Sequence, residues 1–163
     1  MAKKKLSAGW IILIIAAVIF LGIQFFGINR SVPSTDPNLD LMAVAQPPEN
    51  VKNLIHQGCY DCHSYETKYP WYSHVQPVSW FLQDHIDEAR EHMNFSKWGD
   101  YSPDVRREKL EHAGKMVKNR KMPLWSFRIE HPEARFTDQE IQTLSNWFKE
   151  RRDALGNNEK NKD

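Results

Sequence analysis

The apolar residues of this chain fall into two different patterns. From Trp10 to Ile28 they form an unbroken run, WIILIIAAVIFLGIQFFGI, with no charged residue, and Lys3, Lys4 and Lys5 stand just ahead of it. As one helix this run would rise about 28 Å, close to the roughly 30 Å of a bilayer's hydrocarbon layer. Further on, apolar positions recur with a helical period. Val51, Leu54 and Ile55 follow Pro48 and end near Gly58, and Val78, Phe81, Leu82, His85, Ile86 and Ala89 make a stripe opened by Pro77. Ser102 and Pro103 make an N-cap and first-turn pair ahead of Leu110, Ala113 and Val117. Thr137 and Glu140 have capping-box spacing ahead of Ile141, Leu144, Phe148 and Leu155. No stretch alternates with period two, so the pattern predicts an all-α fold.

Charge and punctuation divide the chain further. Residues 1–9 read as a cytoplasmic N-terminus, 10–28 as a single transmembrane anchor, and 29–46 as a Pro-rich tether carrying Pro33 and Pro37. Residues 47–155 read as the folded domain and 156–163 as a flexible polar tail. Two readings compete with the anchor. A cleaved secretory signal would need a small-residue site, and the only one, AVAQ at Ala43–Gln46, lies far beyond the run. A buried core helix would need a polar face to show to water. With a net charge of +1 for the whole chain and a near-neutral domain, no basic footprint for nucleic acid is present.

The chemistry concentrates in GCYDCH, residues 58–63, which holds both cysteines of the chain and a histidine directly after the second. A thioredoxin-like pair belongs at a strand-to-helix junction, and no strand is predicted. Zinc wants four ligands, commonly as two separated pairs, and only one pair exists. A disulfide between Cys59 and Cys62 would close too small a loop to restrict the unfolded chain much. The C-x-x-C-H spacing points instead to one covalent haem c, with thioether attachment at Cys59 and Cys62 and His63 as the proximal iron ligand.

For the other axial position, Met122 in the methionine–proline loop KNRKMPLWSF is the leading candidate, since Pro123 biases it toward extended backbone. The bland alternative is that Met122 only packs in the core. His85, on the apolar stripe of the second predicted helix, is the alternative distal ligand. The aromatic insert between Tyr65 and Trp80, with Tyr69, Trp71 and Tyr72, suggests pocket wall and core more than a partner surface. The basic run Lys115, Lys118, Arg120 and Lys121 reads first as a solvated helix face, and otherwise as a partner for haem propionates or an acidic redox protein.

A helix into GCYDCH, a methionine–proline loop and a closing helix FTDQEIQTLSNWF resemble a class I cytochrome c. CYDCHSYETKYPWYSHVQPVSWFLQDHI, KMPLWSF and HPEARFTDQEIQTLSNW are similar to the haem-binding domain family of bacterial, membrane-anchored C-x-x-C-H proteins, over about residues 48–152. The long aromatic insert departs from small cytochromes c. The resemblance implies a monohaem c-type domain on the periplasmic side of the inner membrane. The function expected is electron transfer to a redox partner protein rather than enzymatic turnover. The rival is a haem-based redox or gas sensor, or a peroxidase-like site, with a labile distal ligand.

Overall fold

The computed structural model describes residues 7–160, with side chains through residue 156. Among the described residues every regular element is helical, as the apolar period predicts. The expected tail segment 156–163 lies partly outside this range, as do Lys3–Lys5.

The chain divides into two compact units. One takes the N-terminal stretch through Ser31 together with Tyr69–His85. It contains α1 (Ala8–Ile23), 16 residues long and with no buried side chain. The helix expected over 10–28 therefore stops early. Gln24 N donates to Leu21 O and Phe25 N to Gly22 O, and the backbone leaves helical geometry after that turn. Among the described residues, no helix is long and apolar enough to cross a membrane.

The other unit comprises Val32–Lys68 and Ile86 onward. Its first elements correct the expectation of an extended tether over 29–46. Asp36 caps a 3-10 turn over Pro37–Leu39, and Asp40 caps α2 (Leu41–Ala45) by accepting from Met42 N at 2.8 Å. Leu41 is fully buried and Ala45 nearly so. Of the prolines that suggested a linker, Pro37 starts a turn, while Pro33 lies in a stretch without regular structure. Close packing fixes this strap against the 3-10 segment Phe95–Asp100: a methyl group placed on Gly99 would fall 2.6 Å from Leu39 Cδ2 and 3.0 Å from Leu39 Cα.

Next come α3 (Glu49–Gly58) and α4 (Tyr60–His63), then α5 (Val78–His92), α6 (Pro103–Lys118), α7 (Trp125–Glu130) and α8 (Asp138–Lys160). The predicted starts are made as expected. Ser102 Oγ accepts from Val105 N, and Pro103 occupies the first turn of α6. Thr137 N–H and Oγ1–H both donate to Glu140 Oε2, at 2.7 and 2.8 Å, while Thr137 Oγ1 accepts from Glu140 N. The helix expected to end at 155 continues to Lys160, so residues 156–160 are not loose tail.

The longest packing is α6 against α8, where Leu110, Ala113 and Val117 meet Leu144, Trp147 and Phe148. With Val51, Leu54, Ile55, Tyr60 and Phe95 these form one core. Each fully buried large side chain contributes about 1.5–3 kcal/mol of transfer free energy. The predicted stripe on α5 is buried only in its second half. Ile86 and Ala89 are inside, whereas Val78 and Phe81 are open.

Candidate haem site

The cysteine motif occupies the joint between two helices. Cys59 leaves helical geometry at φ −132°, ψ −39°, ending α3 and starting α4. Its carbonyl then accepts from Cys62 N at 3.2 Å and from His63 N at 2.9 Å. The spacing i, i+3, i+4 on one turn sets both thiols and the imidazole on a common side. Both thiols are free and half-buried. Burial, with each thiol's acidic neighbour adding to it, pushes Cys59 up to about 12 and Cys62 up to about 11. For Cys59 that neighbour is the Cys62 thiol, and for Cys62 it is Asp61, partly offset by Arg90. A redox-active pair needs the opposite, a lowered thiol pKa. Among the described residues no group of three or more His, Cys, Asp and Glu side chains is placed to hold a metal ion.

The imidazole is held by main chain. His63 Nδ1 lies 3.0 Å from the carbonyl oxygens of both Ala89 and Met93, at the C-terminal end of α5. A carbonyl only accepts, so Nδ1 carries the proton and Nε2 keeps its lone pair for a metal. Burial draws the imidazole below its ordinary range, although the two carbonyls pull the other way. The ring is therefore neutral near pH 7, the form in which histidine binds a metal. Phe95, fully buried, lies 5.8 Å from it, centroid to centroid.

The loop after His63 is stitched to the same helix. Arg90 donates from Nε to Ser64 O and from Nη2 to Thr67 Oγ1, each at 2.9 Å, with its guanidinium 5.0 Å from the centre of the Tyr65 ring. Thr67 Oγ1 in turn donates to Asp61 O at 2.6 Å, and Asp61 Oδ1 accepts from Lys68 N. Inside the motif, Tyr60 is buried and donates to Asp40 Oδ1 at 2.6 Å. Burial first, and then that bond, raises the phenol well above its usual value. The α2 strap is thus fastened directly to the cysteine turn.

Met122 is half-buried, and the Met122–Pro123 peptide is cis. The methionine–proline loop reaches the motif through its proline. A methyl group on Gly58 would sit 2.8 Å from Pro123 Cγ and 2.6 Å from Phe136 Cζ. The loop foreseen as the distal element therefore packs on the residue before Cys59. His85 lies in the unit with α1, where its Nδ1 donates to Phe81 O at 2.8 Å within its own helix.

The basic run is a solvated face, as the simpler reading has it. Lys115 pairs with Glu111 and Arg120 with Asp138. In the aromatic insert, Tyr65, Tyr69 and Tyr72 are half-buried, whereas Trp71 is 73% exposed and Trp80 is open, so its two tryptophans depart from the expected role as core. Sequence reasoning passed over the Ala89 and Met93 carbonyls, which leave no trace in residue type. It also passed over Arg90, whose one signal is an arginine next to Ala89 on the apolar stripe.

The donor set fits a haem: two thiols one turn apart, and beside them a half-buried neutral imidazole with Nδ1 tied and Nε2 available. Among curated proteins and among solved structures, nothing matches the chain. The model of the haem-binding domain family matches residues 18–150, and that match makes the chain a haem-binding protein. With the motif, its tied imidazole and a match over most of its length, the chain belongs to the haem-binding domain family.

Proposed function

We propose that this protein is a membrane-attached monohaem c-type cytochrome that carries electrons on the periplasmic side of the bacterial inner membrane. The observation that carries the reading is the Nδ1–H of His63 donating to Ala89 O and Met93 O, because it fixes the tautomer and ring orientation that an axial ligand needs. Cys59 and Cys62 would hold the porphyrin covalently, as thioethers. His63, through Nε2, and Met122 are the residues that would bind its iron. A haem held this way supplies one reversible electron at its iron.

The chain's own residues do the rest. The carbonyls bound to Nδ1 make His63 a stronger donor, which favours the ferric state. The fully buried Phe95 beside the imidazole keeps water from that side. Pro123, seated on Gly58, keeps the methionine–proline loop against the start of the motif. The apolar run at 10–28 supplies attachment to the membrane and restricts the domain to redox partner proteins there.

The test is the chain made in cells with a working cytochrome c maturation system. Mass is expected to rise by one haem, haem is expected to resist acid-solvent extraction, and both should be lost when Cys59 and Cys62 are replaced by alanine. The spectrum should be low-spin, with Met122→Ala converting it to high-spin and lowering the potential. High-spin ferric iron or rapid carbon monoxide binding in the unaltered protein would overturn the carrier role in favour of a sensor or peroxidase-like site. An unchanged spectrum in Met122→Ala would remove Met122 and bring His85 forward.

A further inference from the structure

The unit built from the N-terminal stretch and Tyr69–His85 turns its apolar side chains outward. No residue of α1 is buried, and Trp10, Ile12, Leu13, Val18, Ile19 and Leu21 are each 60–66% exposed. The partner segment adds a second apolar surface, with Trp71 at 73%, Phe81 at 58%, and Val78 and Trp80 also open.

Hydrogen bonds join the end of the helix to this segment. Gln24 Nε2 donates to Gln76 O at 3.1 Å, and Gln76 N donates back to Gln24 Oε1 at 3.0 Å. Gln76 Nε2 and Trp80 Nε1 both donate to Phe26 O, at 3.1 and 2.7 Å, and Arg30 Nη1 donates to Ser73 O at 2.8 Å. Gln76 and Ser73 are buried, so the bonds they make are partly shielded from water's competition, while that of Trp80 is exposed.

We infer that the segment from Tyr69 to Phe81 is a lipid-facing platform, seated in the headgroup-to-acyl boundary of the bilayer that receives α1. The inference rests on the membrane attachment proposed above and names the second element that makes it. Three observations select lipid as the occupant. A helix apolar on every side needs an apolar medium all round it, whereas a protein partner covers one stripe. The surface is almost uncharged: Arg30 is the only charged side chain from Ser7 to Ser31, and Asp84 the only one from Tyr69 to His85. Tryptophan is favoured at the membrane boundary, and Trp80 has its N–H satisfied by Phe26 O while part of its ring stays open.

Length points the same way. The 16 residues of α1 rise about 24 Å, short of the roughly 30 Å hydrocarbon layer. A short apolar element is accommodated by local thinning and by interfacial anchors at its end. Phe25 and Phe26, both exposed, continue the apolar surface from the helix to the platform.

The experiment uses the full chain with its haem in phosphatidylcholine vesicles. Separate preparations carry a photoactivated diazirine lipid labelled near the headgroup or near the acyl terminus, and labelled peptides are mapped by mass spectrometry. The deep probe is expected on α1 and the shallow probe on residues 69–81. Shallow labelling should persist at high salt, because the contact is apolar and salt screens only charge. The double variant Trp71→Ser, Phe81→Ser should lower it several-fold, with α1 labelling and the haem spectrum unchanged.

Labelled α1 beside an unlabelled 69–81 segment, or shallow labelling indifferent to the double variant, overturns the platform and leaves attachment standing. No label on either overturns both. Crosslinks from 69–81 to the same segment of a second copy would assign the face to self-association and overturn the lipid reading.

Discussion

Pro123 packs against Gly58, so the residue before Cys59 and the residue after Met122 share one contact with no room for a methyl group between them. Gly58→Ala must move either Pro123 or the buried Phe136 ring, both stiff. It is expected to cost about 1–3 kcal/mol, as overpacking does. A lowered urea midpoint with unchanged slope checks the cost. A weakened methionine-to-iron charge-transfer band in the haem-loaded variant would show that the strain reaches Met122.

Leu41 lies wholly inside the core although it belongs to a five-residue helix in a proline-rich stretch. Leu41→Ala is expected to destabilise the protein by about 2–5 kcal/mol. A chain begun at residue 47 should melt below one begun at residue 36, by denaturant titration or scanning calorimetry. Equal stability of the two would mean that α2 contributes nothing to the fold.

These two sites also mark where sequence patterning stops being informative. α3, α6 and α8 were legible because each carries an apolar period, and α6 and α8 also have a cap written in residue types: Ser102 before Pro103, Thr137 three before Glu140. α2 is too short for a period to show, and Pro33 and Pro37 in the residues before it look the same in a linker as in a turn. The 3-10 segment that buries Phe95 and Trp98 has the same difficulty. The α5 stripe was read correctly as a stripe, but periodicity does not say whether protein or something else covers it, and its first half is open. At the site, the cysteines and histidine were evident from spacing alone. The partners that orient the histidine were not, because a carbonyl oxygen is common to all residues.

Arg90 holds the loop beyond His63 with two charge-assisted hydrogen bonds. Each such bond contributes about 1.5–3 kcal/mol where it is shielded, and less where water competes. Arg90→Met is therefore expected to lower stability measurably and to raise amide hydrogen exchange across residues 64–68. Arg90→Lys should not restore protection, because an ammonium cannot present the fork that spans Ser64 O and Thr67 Oγ1. Full rescue by lysine would mean that charge alone matters there.

The start of α8 gives a pH signature. Hydrogen bonds from Thr137, backbone first and then hydroxyl, hold the Glu140 carboxyl below its ordinary value of 4.5. A carboxyl whose native pKa is depressed stabilises the fold fully above its unfolded value, and loses that contribution as pH falls through the native one. The stability difference between the natural protein and Glu140→Gln should thus be constant above about pH 5 and shrink as acid is added below about 4.5. Thr137→Ala, which removes the reciprocal cap, should cost about 1 kcal/mol near neutrality. Urea titrations across the acid range measure both.

The two oxygens that grip the His63 ring belong to the peptide backbone of α5, and this has a consequence for how the molecule tolerates change. No codon specifies them. Substitutions at Ala89 and Met93 that keep the helix end in place alter volume and polarity around the imidazole yet leave its acceptors where they are, so the residue most exposed to loss by mutation is the histidine itself. The helix can be rewritten, or its outer face given over to a different neighbour, without untying the ring.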